Sequence, residues 1–133
     1  MDLSALGNDI ERVVVSEEQI QTRLKELAAQ VKKDYEGRDL ILVGVLKGAI
    51  MAMADFSRHL QRHVDMDWMA VSSYGAGTKS SGVVRILKDL DNDILGREVL
   101  IVEDILDTGL TLSWLTENLL SRGAKSVSVL TVL

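Results

Sequence analysis

An α/β fold, a mostly parallel twisted sheet flanked by helices, is predicted by three features of this 133-residue sequence. Apolar runs such as "LILVGV" and "VLIV" are continuous rather than alternating, as in strands covered on both faces. Segments with helical apolar spacing stand between them. Strand and helix alternate along the chain, which implies right-handed crossovers into one sheet. The length suits a single domain, residues 1–133.

The elements follow in order. "SEEQIQTRLKELAAQVKKDYEGR" predicts a helix: Ser16 is the N-cap candidate and Gln19 completes a capping box. Ile20, Leu24, Leu27, Val31 and Tyr35 recur at helical spacing, and Gly37 offers a stop. "DLILVGVL" predicts a buried strand, and "KGAIMAMADFSRHLQ" a helix reached through a Gly turn, with Met51 and Met53 as core filler. "VDMDWMAVSSY" is the next strand, and "GAGTKSSG" a polar, mobile loop. "VVRILKDL" and "REVLIVE" are strands joined across the acidic "DNDILG". "TLSWLTENLLSRG" is a helix with Leu112, Leu115 and Leu119 on one face and Gly123 past its end. "SVSVLTVL" is the last strand, an apolar run with no polar cap; the expectation is that a C-terminal part is missing.

Composition narrows the function. The formal charge is -5, and no Lys/Arg cluster suited to phosphate neutralisation stands out, which argues against nucleic-acid or membrane-surface partners. The absence of cysteine excludes disulfides, thiol chemistry and thiolate metal sites. No apolar run approaches spanning length, and "MDLSALGNDI" lacks the features of a signal peptide. A cytoplasmic protein is expected.

The chemistry concentrates in "VLIVEDILDTGLTL", Val99–Leu112. Beyond the carboxyl end of a parallel strand is where ligands bind in such sheets. Thr108 to Thr111 offers backbone N–H groups and two hydroxyls at the start of a helix, and Gly109 permits a tight turn and close approach. These make a phosphate cradle. The carboxylates of Glu103 and Asp104 repel phosphate and so address something else, a diol or a magnesium ion. A phosphorylated ribose meets both descriptions, and Asp107 remains for proton work. The plainer reading takes Asp107 or Thr108 as an N-cap and the acids as solvated strand-end charges. The chain has neither Gly-x-x-x-x-Gly-Lys-Ser/Thr nor Gly-x-Gly-x-x-Gly.

This stretch resembles the phosphoribosyl-pyrophosphate (PRPP) motif of the type I phosphoribosyltransferases, nearest to the hypoxanthine-guanine branch. "VGVLKGA" is similar to that family's pyrophosphate loop, and "SSYGAGTKSSG" to its flexible catalytic loop, in the same order. The resemblance implies the type I phosphoribosyltransferase core fold and purine salvage: phosphoribosyl transfer from PRPP to hypoxanthine or guanine, giving IMP or GMP plus pyrophosphate. It implies that Glu103 and Asp104 hold the ribose hydroxyls and help place Mg²⁺, and that Asp107 is the general base. Thr108, Gly109, Leu110 and Thr111 would cradle the 5′-phosphate, and Ile105 would wall the base. Leu46, Lys47 and Gly48 would bind pyrophosphate, with a cis peptide at Leu46–Lys47. Ser73 and Tyr74 would head the loop that closes over the reaction, and a homo-oligomer, dimer or tetramer, is expected.

The sequence departs from the family pattern at Ala49, where many relatives carry a second Gly. The family's base-reading lysine, stacking aromatic, second metal aspartate and pyrophosphate arginine follow the last strand and have no counterpart before Leu133. Two alternatives remain: a phosphoribosyltransferase for xanthine, adenine or a pyrimidine, and a non-catalytic PRPP-sensing regulator.

Other groupings read as structural. His59 and His63 stand four apart near Asp65 and Asp67, a spacing that suits a metal but is more common at a helix end. "DLDND" lacks the Gly and Glu of a calcium loop, having Ile94 and Leu100 at those places, and reads as a solvated turn. Lys79 is read as solvated, and Trp68 and Trp114 as core or interface residues.

Overall fold

The computed structural model describes residues 3–73 and 84–133. A 3₁₀ segment, Leu3–Asp9, precedes α1 (Glu17–Asp34), β1 (Leu40–Val45), α2 (Ala49–Leu60), β2 (Asp65–Ser73), β3 (Val84–Lys88), β4 (Glu98–Glu103), α3 (Leu110–Ser121) and β5 (Ser126–Thr131). The five strands form one sheet in the order β3-β2-β1-β4-β5. β1 pairs in parallel with β2 and β4, and β4 with β5. β3 alone runs antiparallel, against β2. The predicted elements are all present, and the sheet is mostly parallel as expected. Tyr74, the Gly75–Gly82 segment and Lys79 lie outside the described residues.

Each helix is set by local chemistry. The Ser16 capping box forms: Gln19 N donates to Ser16 Oγ at 3.1 Å, and Ser16 N donates to Gln19 Oε1 at 2.8 Å. α1 yields at Tyr35, before Gly37 is reached. Arg62 then takes the loose carbonyls, donating to Tyr35 O at 2.8 Å and Arg38 O at 2.7 Å. α2 ends on Gln61 in a left-handed conformation, φ 51.

β1 is buried over its first five residues, so its side chains divide between two cores. Leu40 and Leu42 meet Leu24 and Val31 of α1 and Met53, Phe56 and Leu60 of α2. Ile41 and Val43 meet Leu115 and Leu119 of α3. β4 splits the same way, Leu100 and Val102 to one side and Val99 and Ile101 to the other. Met53 is core, but Met51 is 75 % exposed and so is not core filler. It stands in the first turn of α2, on the side turned away from the sheet.

The amino-terminal end of the sheet is tied by charge. Arg97 Nη2 reaches Asp39 Oδ1 at 2.9 Å and Asp65 Oδ2 at 2.8 Å, joining the starts of β4, β1 and β2. The "DLDND" turn is more than solvated. The buried Asp67 carboxylate accepts from Asp91 N at 3.0 Å, Asn92 N at 2.8 Å and Asn92 Nδ2 at 2.9 Å. Burial alone would raise this carboxyl's pKa, but the donors from Asn92, Asp91 and Trp68 hold it below the usual range. His59 is half-buried with Nε2 3.0 Å from Gln21 Oε1, between α2 and α1, whereas His63 is exposed. Among the described residues no helix is long and apolar enough to cross a membrane.

Candidate functional site

The carboxyl ends of β1 and β4 open onto a cavity of about 340 Å³. It is lined by Glu103, Ile105, Asp107, Thr108, Gly109 and Thr111, with Val45, Leu106, Leu112 and Leu115. Six of the predicted site residues thus share one concavity. Val45, Leu106, Leu112 and Leu115 were not predicted. The signal for Val45 was its place at the end of the strand beside β4, and for Leu112 and Leu115 the inward face of α3.

The cradle has a definite backbone. Gly109 takes the N-cap position of α3 with φ 80 and ψ 0, a conformation glycine adopts freely and other residues seldom do. Neither Asp107 nor Thr108 is the N-cap. Thr108 Oγ1 accepts a long 3.4 Å bond from Leu110 N, and no side chain occupies the cap itself. First-turn amides of a helix have no acceptor within it, so their N–H groups are left for an anion. Asp107 and Thr108 are exposed at this rim, as is Leu110, whose side chain does not line the cavity.

The two strand-end acids lie differently. Glu103 is half-buried, and its Oε1 has no hydrogen-bond partner although it is shielded from solvent. Burial, with the Asp104 charge as a second cause, pushes this carboxyl up to about 7. Asp104 sits instead against Gly48, so close that a Cβ on Gly48 would meet its carboxylate at 3.1 Å. Glu103 therefore serves the cavity, while Asp104 faces the turn before α2. The shielded Glu103 Oε1, lacking a donor, is the kind of hard oxygen a divalent cation takes, but among the described residues no cluster of three or more His, Cys, Asp or Glu gathers to hold one.

That turn is the predicted pyrophosphate loop. The Leu46–Lys47 peptide is cis, as the resemblance implied. Leu46 N donates to Met69 O at 2.8 Å and Ile50 N to Lys47 O at 3.1 Å, fixing the turn that joins β1 to α2 against β2. Lys47 and Gly48 are exposed beside Asp104 but do not line the cavity. Ser73 closes β2 opposite Val84, and Tyr74 lies beyond the described residues.

The profile of the phosphoribosyl transferase domain matches residues 15–133. The hypoxanthine-guanine phosphoribosyltransferase of Mycobacterium tuberculosis is 53% identical over 131 residues, covering 94% of this chain and 65% of that protein. The Bacillus subtilis hypoxanthine-guanine phosphoribosyltransferase is 50% identical over 128 residues, covering 96% of this chain and 71% of its own. A crystal structure of a Staphylococcus aureus hypoxanthine phosphoribosyltransferase superposes with a TM-score of 0.91 at 47% identity, covering 96% of this chain and 69% of that one. The chain therefore spans about 65% of the length of the mycobacterial protein it matches.

Proposed function

This chain belongs to the phosphoribosyl transferase domain family, and from that premise we propose that it carries the PRPP-binding half of a purine salvage enzyme. The reaction is transfer of the 5-phosphoribosyl group from PRPP to hypoxanthine or guanine, giving IMP or GMP and pyrophosphate. The observation that carries this reading is the cavity beyond β4, where Glu103, Asp107 and the Thr108–Thr111 turn meet. Similarity to hypoxanthine-guanine phosphoribosyltransferases supports the choice of base.

Each group has a part. The first-turn amides of α3 and the hydroxyls of Thr108 and Thr111 bind the 5′-phosphate. Glu103 and Asp104 accept hydrogen bonds from the ribose hydroxyls and hold Mg²⁺. A bound divalent cation supplies charge neutralisation at the departing pyrophosphate. Leu46, Lys47 and Gly48 bind that pyrophosphate. Ile105, 56 % exposed, offers an apolar wall to the base. Asp107 accepts the proton from the purine ring nitrogen opposite the one that attacks, a role worth roughly 10²–10⁴ in rate. Ser73 and Tyr74 head the segment that excludes water from the cationic sugar. The protein works in the cytoplasm as a homo-oligomer, dimer or tetramer, with apolar side chains such as Val14 and Met51, 78 % and 75 % exposed, available for contact.

Calorimetric titration with PRPP, with and without magnesium, tests the reading. Magnesium-dependent binding is expected. Absence of binding by a chain that circular dichroism shows to be folded would overturn it for this chain.

A further inference from the structure

β5 does not stop acting where its strand ends. Past Thr131, Val132 N donates to Glu103 O at 3.3 Å and Leu133 N donates to Asp104 O at 3.1 Å. The chain of β4 then turns back, and Leu106 N donates to Leu133 O at 3.0 Å. Thr131 Oγ1 donates to the same oxygen at 2.9 Å. The backbone of Leu133 thus grips the 104–106 segment from both sides, through its N–H and its main-chain oxygen. Asp107 follows that segment directly, and Leu106 lines the cavity.

We infer that the backbone of Val132 and Leu133 is a positioning element for the candidate site, setting where the Asp104–Asp107 segment lies. The inference rests on the phosphoribosyl reading for its functional consequence, but not for its geometry. The loop from Asp104 to Thr108 has few other anchors: Ile105 and Leu106 are 56 % and 48 % exposed. Loops with exposed side chains and few bonds open at low free energy, so two backbone bonds weigh heavily there. The Leu133 side chain, also 56 % exposed, adds little to the grip. The same grip couples the segment after β5 to the carboxylate at Asp107. Whatever moves Leu133 moves the proton acceptor.

The test is residue-resolved amide hydrogen exchange on the full chain and on Leu133→Pro, which deletes one N–H, and Leu133→Ala, which keeps the backbone. Leu133→Pro is expected to speed exchange at Leu106, Asp107 and Thr108 by about tenfold, while Ile101 within β4 stays protected. Leu133→Ala is expected to leave the Leu106 amide as protected as in the parent chain. PRPP affinity, measured with magnesium, is expected to fall about tenfold in Leu133→Pro. Unchanged Leu106 exchange in Leu133→Pro would overturn the inference. So would equal loss at Ile101, which would mean a frayed strand, or unaltered PRPP affinity beside a loosened loop. If the parent chain binds no PRPP, the phosphoribosyl reading fails, and the exchange pattern still decides whether the grip exists.

Discussion

Asp104 and Gly48 are packed against each other across two loops: a Cβ on Gly48 would stand 3.1 Å from Asp104 Oδ2 and 3.3 Å from Oδ1. Gly48 has φ -54 and ψ -36, ordinary helical backbone that any residue adopts. Its lack of a side chain therefore matters for space and not for conformation. Gly48→Val is expected to displace the Asp104 carboxylate and weaken PRPP binding by more than about tenfold, with the chain still folded. Calorimetry beside a thermal melt checks this. Equal affinity would show that the two loops act independently.

Gly109 makes the opposite case. A Cβ there would meet only Leu106 Cδ1, at an ordinary 3.7 Å, but φ is 80. Gly109→Val forces a β-branched residue into left-handed backbone and is expected to reshape the cradle. Loss of measurable PRPP binding is the expected result. Wild-type affinity would put the phosphate elsewhere.

Asp107→Asn keeps the size and polarity of the side chain while removing its basicity. In an enzyme that carries this segment together with the base-reading residues, PRPP affinity is expected to persist and turnover of hypoxanthine to fall by about 10²–10⁴. Steady-state rates at saturating PRPP give the answer, and an unchanged rate would remove Asp107 from proton transfer.

Glu103 predicts a pH dependence whose sign can be worked out. Its folded pKa, about 7, lies above the ordinary 4.5, so the folded state holds a proton that the unfolded chain has released. The contribution of Glu103 to stability is then greatest below 4.5, falls as pH rises between these values, and levels off above 7. Glu103→Gln is expected to flatten this slope in thermal melts across that interval. Magnesium binding should run the other way and strengthen as pH rises through 7, where the carboxylate is free. A wild-type melting curve without the slope would contradict the buried, unpartnered state of its Oε1.

Asp67 carries the reverse sign. Its folded pKa is depressed below 3.8, so its contribution is present above that value and is lost as pH falls through the folded pKa. Asp67→Ala orphans the donors of Asp91 and Asn92 and is expected to destabilise the chain by about 2–3 kcal/mol. Urea denaturation measures it, and a change under about 0.5 kcal/mol would mean that water replaces the carboxylate.

Much of this architecture was legible because the cues are local. The Ser16 and Gln19 pair, the unbroken apolar runs of β1 and β4 and the Gly109 turn each carry their own physical reason within a few residues. The direction of β3 was not legible, since the alternation of "VRILK" reads the same in either sense. Met51 was misplaced because apolar character does not say which side of a first helical turn meets the sheet. Asp67 looked like one acid among several. Its partners, Asp91 and Asn92, stand 24 and 25 residues further along the chain, beyond β3. The contact of Asp104 with Gly48 and the grip of Leu133 on Leu106 are likewise products of the parallel register, which brings distant strand ends side by side.

The strand order has a consequence in time. β1 is the first strand made, yet it occupies the middle of the sheet, with β2 on one flank and β4 on the other. During synthesis its β4 flank has no partner until Glu98–Glu103 has emerged, well over a third of the chain later. This strand, buried over five of its six residues, thus waits half-paired, beside α1, α2 and β2. Parallel pairings of this kind close large loops before they are rewarded, and so form late. A nascent chain halted before α3 is the state most in need of a chaperone, because Leu115 and Leu119, which cover Ile41 and Val43, are not yet made.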